Sequence, residues 1–328
     1  MNNYWRFGTN YIPRTAINQL EMWQADSFDP ATIDQEFEWA ENIGMSLMRV
    51  YLHDLLWEDD SAGFLSRINQ YLSIADKHNI KTMFVIFDDC HRSEFKLGKQ
   101  PDPKPFIHNS GWVQSPGPKV VDNPGEWGRL EKYVKGILSH FKDDDRILAW
   151  DLYNEPGNGA SGDHLNKGGF RADLSLPLLK KVFSWAREVN PVHPLTCAAW
   201  RFDEDFFSLN QFSIENSDIV SFHDYENPEI LKMKIHFIKL LAKDKPVICS
   251  EYMARTNGST FKDCLPILKE NNISAINWGF VVGKSNTIYP WGWNESKGKP
   301  DLYFHDVLDT DGKFLYPEEK EVFQSVQS

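Results

Sequence analysis

Apolar residues recur along this chain in two rhythms that alternate from end to end. Short runs are apolar almost throughout, as in SLMRVYL (46–52) and KTMFVIF (81–87). Between them lie longer stretches whose apolar positions return every three or four residues, as with Ile33, Phe37 and Ala40, or Leu65, Ile68 and Leu72. The first rhythm predicts strands buried on both faces, the second amphipathic helices. Strands are predicted at FGTNY around Gly8 and over 46–52, 81–87, 147–153, 194–200, 218–223, 245–252 and 274–280. Helices are predicted over 31–43, 64–78, 127–141, 176–190, 228–242 and 260–271, with a closing helix from about 318. Eight βα units close as a single (β/α)₈ barrel; a doubly wound open sheet is the competing arrangement. No linker or internal repeat divides the chain, so residues 1–328 read as one domain. The segments after strands three, four and eight are long. In a barrel these loops build the C-terminal face, where function sits.

Composition narrows the partners. The 328 residues are 41% hydrophobic, enough for a large core, and carry 35 basic against 47 acidic residues, a net charge of −12. Such a chain has no surplus of cations for phosphates, which argues against nucleic acid or an anionic membrane. Its 12 Trp, 11 Tyr and 22 Phe suit a big core, and equally suit stacking on sugar rings. No apolar run is long enough to span a bilayer, and the first residues lack the basic and apolar parts of a signal peptide. The expected location is cytoplasmic, or secreted if a leader has been removed. Cys90, Cys197, Cys249 and Cys264 show no CxxC spacing and read as reduced, small apolar residues.

Chemistry concentrates where the strands end. ILAWDLYNEP (147–156) is a strand that stops at Asn154, Glu155 and Pro156. A carboxylate at a strand tip beside an amide suits glycosidic acid catalysis; a strand cap before a Gly-rich turn is the plain alternative. Other strand ends bring Arg49, Asp88, Asp89, Trp200, His223, Tyr225, Glu251 and Trp278 toward the same mouth. GNGASG (157–162) has the spacing of a dinucleotide loop but lacks the strand-to-helix context. Ser161 is in no nucleophile elbow. No HExxH or His-x-His supports a metal.

In order, these motifs resemble the clan A retaining glycoside hydrolases, the (β/α)₈ superfamily that includes family five cellulases and mannanases. Asn154-Glu155 in WDLYNEP is similar to the clan's strand-four pair, and KPVICSE ending at Glu251 to its strand-seven nucleophile. His223-Asp224-Tyr225, Arg49 and Trp278 match the strand-six, strand-two and strand-eight positions. After strand three, where family-five members often carry a histidine motif, this chain has Asp88-Asp89-Cys90-His91.

The resemblance implies a retaining β-glycoside hydrolase that needs no cofactor or metal and takes a carbohydrate substrate. Glu155 is the expected acid/base and Glu251 the nucleophile, stabilised by Arg49 and Tyr225. Asn154 is expected on the sugar 2-hydroxyl, and His223 on the acid/base or a sugar hydroxyl. Trp278 is expected to floor the reacting subsite, with Trp200, Trp291 and Trp293 candidates further out. Asp88, His91 and His53 stand open between substrate contact and structure. Each of these residues also has a plain reading as an ion pair, turn or packing residue. A transglycosylase of the same fold and a catalytically inactive carbohydrate-binding barrel are the rival functions. The sugar, endo or exo action and oligomeric state are unassigned.

Overall fold

A computed structural model of the chain describes residues 5–159 and 169–327. Its eight parallel strands are β1 (Phe7–Asn10), β2 (Leu47–Tyr51), β3 (Lys81–Val85), β4 (Ile147–Asp151), β5 (Leu195–Thr196), β6 (Val220–Asp224), β7 (Val247–Tyr252) and β8 (Ser274–Trp278). Around them lie α1 (Gln19–Trp23), α2 (Pro30–Asn42), α3 (Asp54–Lys77), α4 (Pro118–Val121), α5 (Trp127–His140), α6 (Ala172–Val189), α7 (Phe207–Asn216), α8 (Pro228–Ala242), α9 (Phe261–Glu270) and α10 (Glu319–Gln327). Hydrogen-bonded neighbours run β5-β4-β3-β2-β1-β8-β7-β6. The first strand thus pairs with the last, and the sheet curls into the predicted (β/α)₈ barrel. Between β5 and β6 the described residues form no ladder; an isolated bridge, Ala199 to Phe222, and a few hydrogen bonds, such as the Asp218 N–H to the Leu195 carbonyl, span the seam.

One strand shows how the barrel interior is layered. Residues two apart on a strand share a face, so Leu47, Arg49 and Tyr51 of β2 all point inward at successive heights. Leu47 joins Met83, Ala149, Ile219, Ile248 and Ile276 in an apolar plug. Arg49 stands in a polar layer above it, and Tyr51 joins Val85, Trp112 and Trp278 in an aromatic layer. Met48 and Val50 face outward into the main core between strands and helices. At Gly8, a Cβ would lie 1.6 Å from the Leu47 carbonyl oxygen. Only glycine allows β1 and β2 to close this tightly.

Several expectations need correction. The fifth strand, predicted over 194–200, has just two ladder residues. Beyond Thr196 the chain leaves β4: the Cys197 N–H turns to the Ser217 hydroxyl and the Ala199 N–H to the Ser221 carbonyl. Helix α3 starts ten residues before the predicted position, because His53 accepts the Leu55 N–H as a cap and the chain kinks at Asp60 instead of beginning there. Helices α1, α4 and α7 were not predicted. Two are single turns, and FSLNQFSIEN of α7 scatters its apolar positions. The 157–162 string lies partly, and Ser161 wholly, outside the described residues. All four cysteines are free and buried. No described helix is long and apolar enough to cross a membrane.

Candidate active site

The strand tips deliver two carboxyl groups that face each other. Glu155 follows β4 in a turn that the sequence fixes closely. Pro156 bars a ladder, and Gly157 takes φ +85°, where a Cβ would lie 2.7 Å from the Ala172 nitrogen. Asp89 ties the turn down. It accepts the Gly157 N–H at 2.7 Å, the Tyr153 hydroxyl at 2.6 Å and the Ser175 hydroxyl at 2.6 Å. Glu155 itself is held at φ +43°, a left-handed conformation that costs a non-glycine residue about 1 kcal/mol or more. The surrounding bonds impose it.

Glu155 is buried among hydrogen-bonding groups. Its Oε1 lies 2.7 Å from His223 Nδ1, while Oε2 accepts the Cys90 thiol at 3.0 Å and the Asn158 amide at 2.5 Å. Burial raises its pKa above the ordinary carboxyl range, and the Cys90 and Asn158 donors oppose the rise. Burial pushes His223 down to about 4, so the imidazole is neutral at pH 7. Burial likewise pushes the Cys90 thiol up, which keeps it a protonated donor.

Glu251, on β7, has both oxygens occupied. Oε1 accepts Arg49 Nη1 at 2.9 Å and the Tyr51 hydroxyl at 3.0 Å; Oε2 accepts the Tyr225 hydroxyl at 2.7 Å. Arg49 is fully buried and spends its whole guanidinium on this layer. It also reaches Asp151 at 2.7 Å, Asn154 Oδ1 at 2.7 Å and Asn10 Oδ1 at 2.7 Å. The two readings of Arg49, a core ion pair and a partner for Glu251, are therefore both realised. Donor atoms of Glu155, His223 and Glu251 lie within 4.8 Å of one another. A divalent cation could use such a set, but a guanidinium already bonded to Glu251 would oppose a cation there.

A cavity of about 890 Å³ opens over this pair, within the range of small-ligand sites. Asn154, Glu155, Trp200, His223, Tyr225, Glu251 and Trp278 all line it, so seven of the eight predicted residues meet at one surface. Arg49 lies beneath and reaches the cavity only through Glu251 and Asn154. His91 and Trp291 also line the wall. Asp88 does not: it accepts Trp112 Nε1 at 2.7 Å and the Asn154 amide at 2.9 Å from below. His53 caps α3, and Trp293 bonds the Gly298 carbonyl.

Sequence reasoning missed Cys90, Asn158, His108 and His305, which also line the cavity, and Tyr51, which bonds Glu251. Tyr51 was within reach, because it shares a strand face with Arg49. Cys90 was grouped with three packing cysteines. His108 and His305 come from the long loops after β3 and β8, and no local signal marks them.

Comparisons with known proteins bear on the fold and the family. No curated protein matches the chain. Among solved structures, a GH5_18 protein from Streptomyces cattleya in complex with Manb1-4GlcNAc superposes with a TM-score of 0.68 at 12% identity, over 99% of this chain and 80% of that one. The hyperthermostable endo-1,4-beta-D-mannanase from Thermotoga petrophila RKU-1 gives 0.61 at 14% identity, over 99% of both chains. The endo-1,4-beta-mannanase from Rhizomucor miehei gives 0.58 at 16% identity, over 98% and 95%. At such identities the likeness is one of fold. The profile of the cellulase family, glycosyl hydrolase family 5, matches residues 17–282, and with most of the sequence covered, the chain belongs to that family of glycoside hydrolases.

Proposed function

We propose that the protein is a retaining β-glycosidase in which Glu155 is the acid/base and Glu251 the nucleophile. The observation that carries this reading is the separation of the two carboxyl groups, whose oxygens approach within 4.8 Å. Retaining enzymes hold the pair about 5–5.5 Å apart, whereas inverting enzymes leave about 6.5–9.5 Å for a water. The electrostatics agree. Burial raises the pKa of Glu155, the direction a group that delivers a proton to the leaving oxygen requires. Three donors compensate the charge of Glu251 and aim it at the anomeric carbon.

Attack by Glu251 forms a glycosyl-enzyme as Glu155 protonates the departing oxygen. Glu155, now a carboxylate, takes a proton from water, and the water displaces Glu251 with retained configuration. His223 at Glu155 Oε1 orients the acid in both steps. Asn154, anchored by Arg49 and Asp88, is the residue for the 2-hydroxyl. Trp278, Trp200 and Tyr225 offer faces for sugar rings, and residues 1–328 act as one catalytic unit. A cavity of about 890 Å³ suits short β-linked oligosaccharides, and the neighbours solved as mannanases or with Manb1-4GlcNAc put β-mannosides first in the trial panel.

The test is release from aryl β- and α-glycosides of mannose, glucose, galactose and xylose. Wild type is expected to act on β-anomers. Glu251→Ala is expected to lose at least about 10⁴-fold in kcat and, with azide, to yield the α-glycosyl azide. A variant that retains activity, or a β-azide product, refutes the nucleophile assignment. Wild type that is silent on aryl sugars and on defined oligosaccharides supports the binding-only barrel instead.

A further inference from the structure

Helix α8 carries a second apolar face that the barrel does not use. Leu231, Ile235, Ile238 and Ala242 point into the core and are buried. Ile230, Met233, Phe237, Leu240 and Leu241 repeat the same helical spacing roughly a third of a turn away and are open to solvent, Met233 by 69% and Leu240 by 64%. Phe202 extends this strip, edge-on to Phe237 at 5.8 Å. Phe207, at the start of neighbouring α7, adds a side chain that is 68% exposed. Single exposed apolar residues are ordinary; seven on adjoining elements are not.

At roughly 200 Å² per large side chain, their exposed parts come to about 700 Å². That exceeds the few hundred Å² of apolar patch common on monomers and approaches the ~800 Å² each partner contributes to a stable interface. We infer that this face joins two copies of the chain, with α8 packed antiparallel against the α8 of the second copy about a two-fold axis. Charge supports that occupant and that direction. The strip carries Glu229 at its first turn and Lys243 just past its last. In an antiparallel two-fold pair each Glu229 meets the Lys243 of the other copy; a parallel pair would set like charges together. Along Pro228–Ala242 the only acid is Glu229, against Lys232, Lys234 and Lys239. Along the helix itself, chains of net charge −12 can therefore meet without stacking carboxylates; the exposed acids of the patch, Asp203, Glu204 and Asp205, lie off it, between Phe202 and Phe207. The same net charge disfavours an anionic lipid surface. Lys234 of this helix and Arg201, the residue before Phe202, line the site cavity, so the interface borders its mouth.

Sedimentation velocity of the full chain from about 1 to 100 µM tests the proposal. The expected species is twice the 38.0 kDa chain mass. The double variant Met233→Glu/Leu240→Glu is expected to weaken association at least 100-fold while its melting temperature and aryl-glycoside turnover stay near wild type. Glu229→Lys is expected to weaken the dimer, and addition of Lys243→Glu to restore it. Three results would each overturn the inference. One is wild type that stays at monomer mass throughout. Another is a dimer unaffected by Met233→Glu/Leu240→Glu. The third is monomeric wild type that sediments with phosphatidylglycerol/phosphatidylcholine vesicles through this face.

Discussion

Replacement of Cys90 by alanine should move the alkaline limb of activity upward. The thiol lies 3.0 Å from Glu155 Oε2, is buried, and stays protonated, so it serves the carboxylate as a donor. Burial raises Glu155, and the Cys90 bond is the largest influence opposing that rise. Alanine removes the donor and leaves the burial. Hydrogen bonds to charged groups contribute about 1.5–3 kcal/mol, and a thiol is a weak donor, so about 1 kcal/mol is a fair figure here. A tenfold change in ionisation corresponds to about 1.4 kcal/mol, which makes the expected move about 0.7 pH units. The sign is fixed: the charged form loses stabilisation, so the acid holds its proton to higher pH. The alkaline limb of kcat/KM reports the essential acid of the free enzyme. It should be measured with an aryl glycoside whose leaving group requires protonation. Cys90→Ser restores a donor and should bring the limb back toward wild type. A limb that stays in place or moves to lower pH in Cys90→Ala, with the fold intact by circular dichroism, refutes the reasoning.

Arg49→Met should destabilise the fold by about 3–5 kcal/mol, because Asp151 and Glu251 are left buried without their cation; a loss below about 1 kcal/mol in urea denaturation contradicts the ionic layer. Glu36, which accepts the Tyr11 hydroxyl at 2.8 Å and Arg14 at 2.8 Å, is pushed up to about 7 by burial. A raised carboxyl contributes stability that is full below its unfolded pKa and lost as pH rises through 7. Melting temperatures of Glu36→Gln should therefore gain on wild type between pH 5 and 8, by an equivalent of about 3 kcal/mol, and a constant gap would rule this out. Gly8→Ala should cost about 3 kcal/mol or more, since a methyl 1.6 Å from a backbone oxygen forces β1 from β2; a near wild-type melt would show the strand contact to be looser.

The parts of the fold that were legible are those written locally. Strands β2, β3, β4, β7 and β8 are mostly apolar runs, and α8 and α9 have uninterrupted stripes opened by Asn227 and Thr260 caps. Their bounds differ from the sequence reading by few residues. What escaped was set by neighbours. Cys197 to Trp200 have strand-like sequence, yet the hydrogen-bond partners available at the seam draw them off the ladder. In the site, the residues at strand tips could be collected from topology alone. Cys90 could not, because its role arises from the turn that sets Glu155 above it. His305 arrives from the loop after β8, some fifty residues past Glu251, and no spacing announces it.

The seam between β5 and β6 gives the barrel an axis of unequal stiffness. Seven strand junctions are ladders, and the eighth is held by one bridge, the Thr196–Ser221 hydroxyl contact at 2.7 Å and a few backbone bonds such as the Asp218 N–H to the Leu195 carbonyl. Amides on this line have fewer ladder partners than those of the other junctions, so local opening of the barrel is expected here before it is expected within a ladder. Trp200 stands on one lip of the opening and His223 on the other. His223 pairs in register with Glu251 of β7, so opening of the seam would shift Trp200 against the His223–Glu251 pair, while Arg49 on β2 lies across the barrel from it.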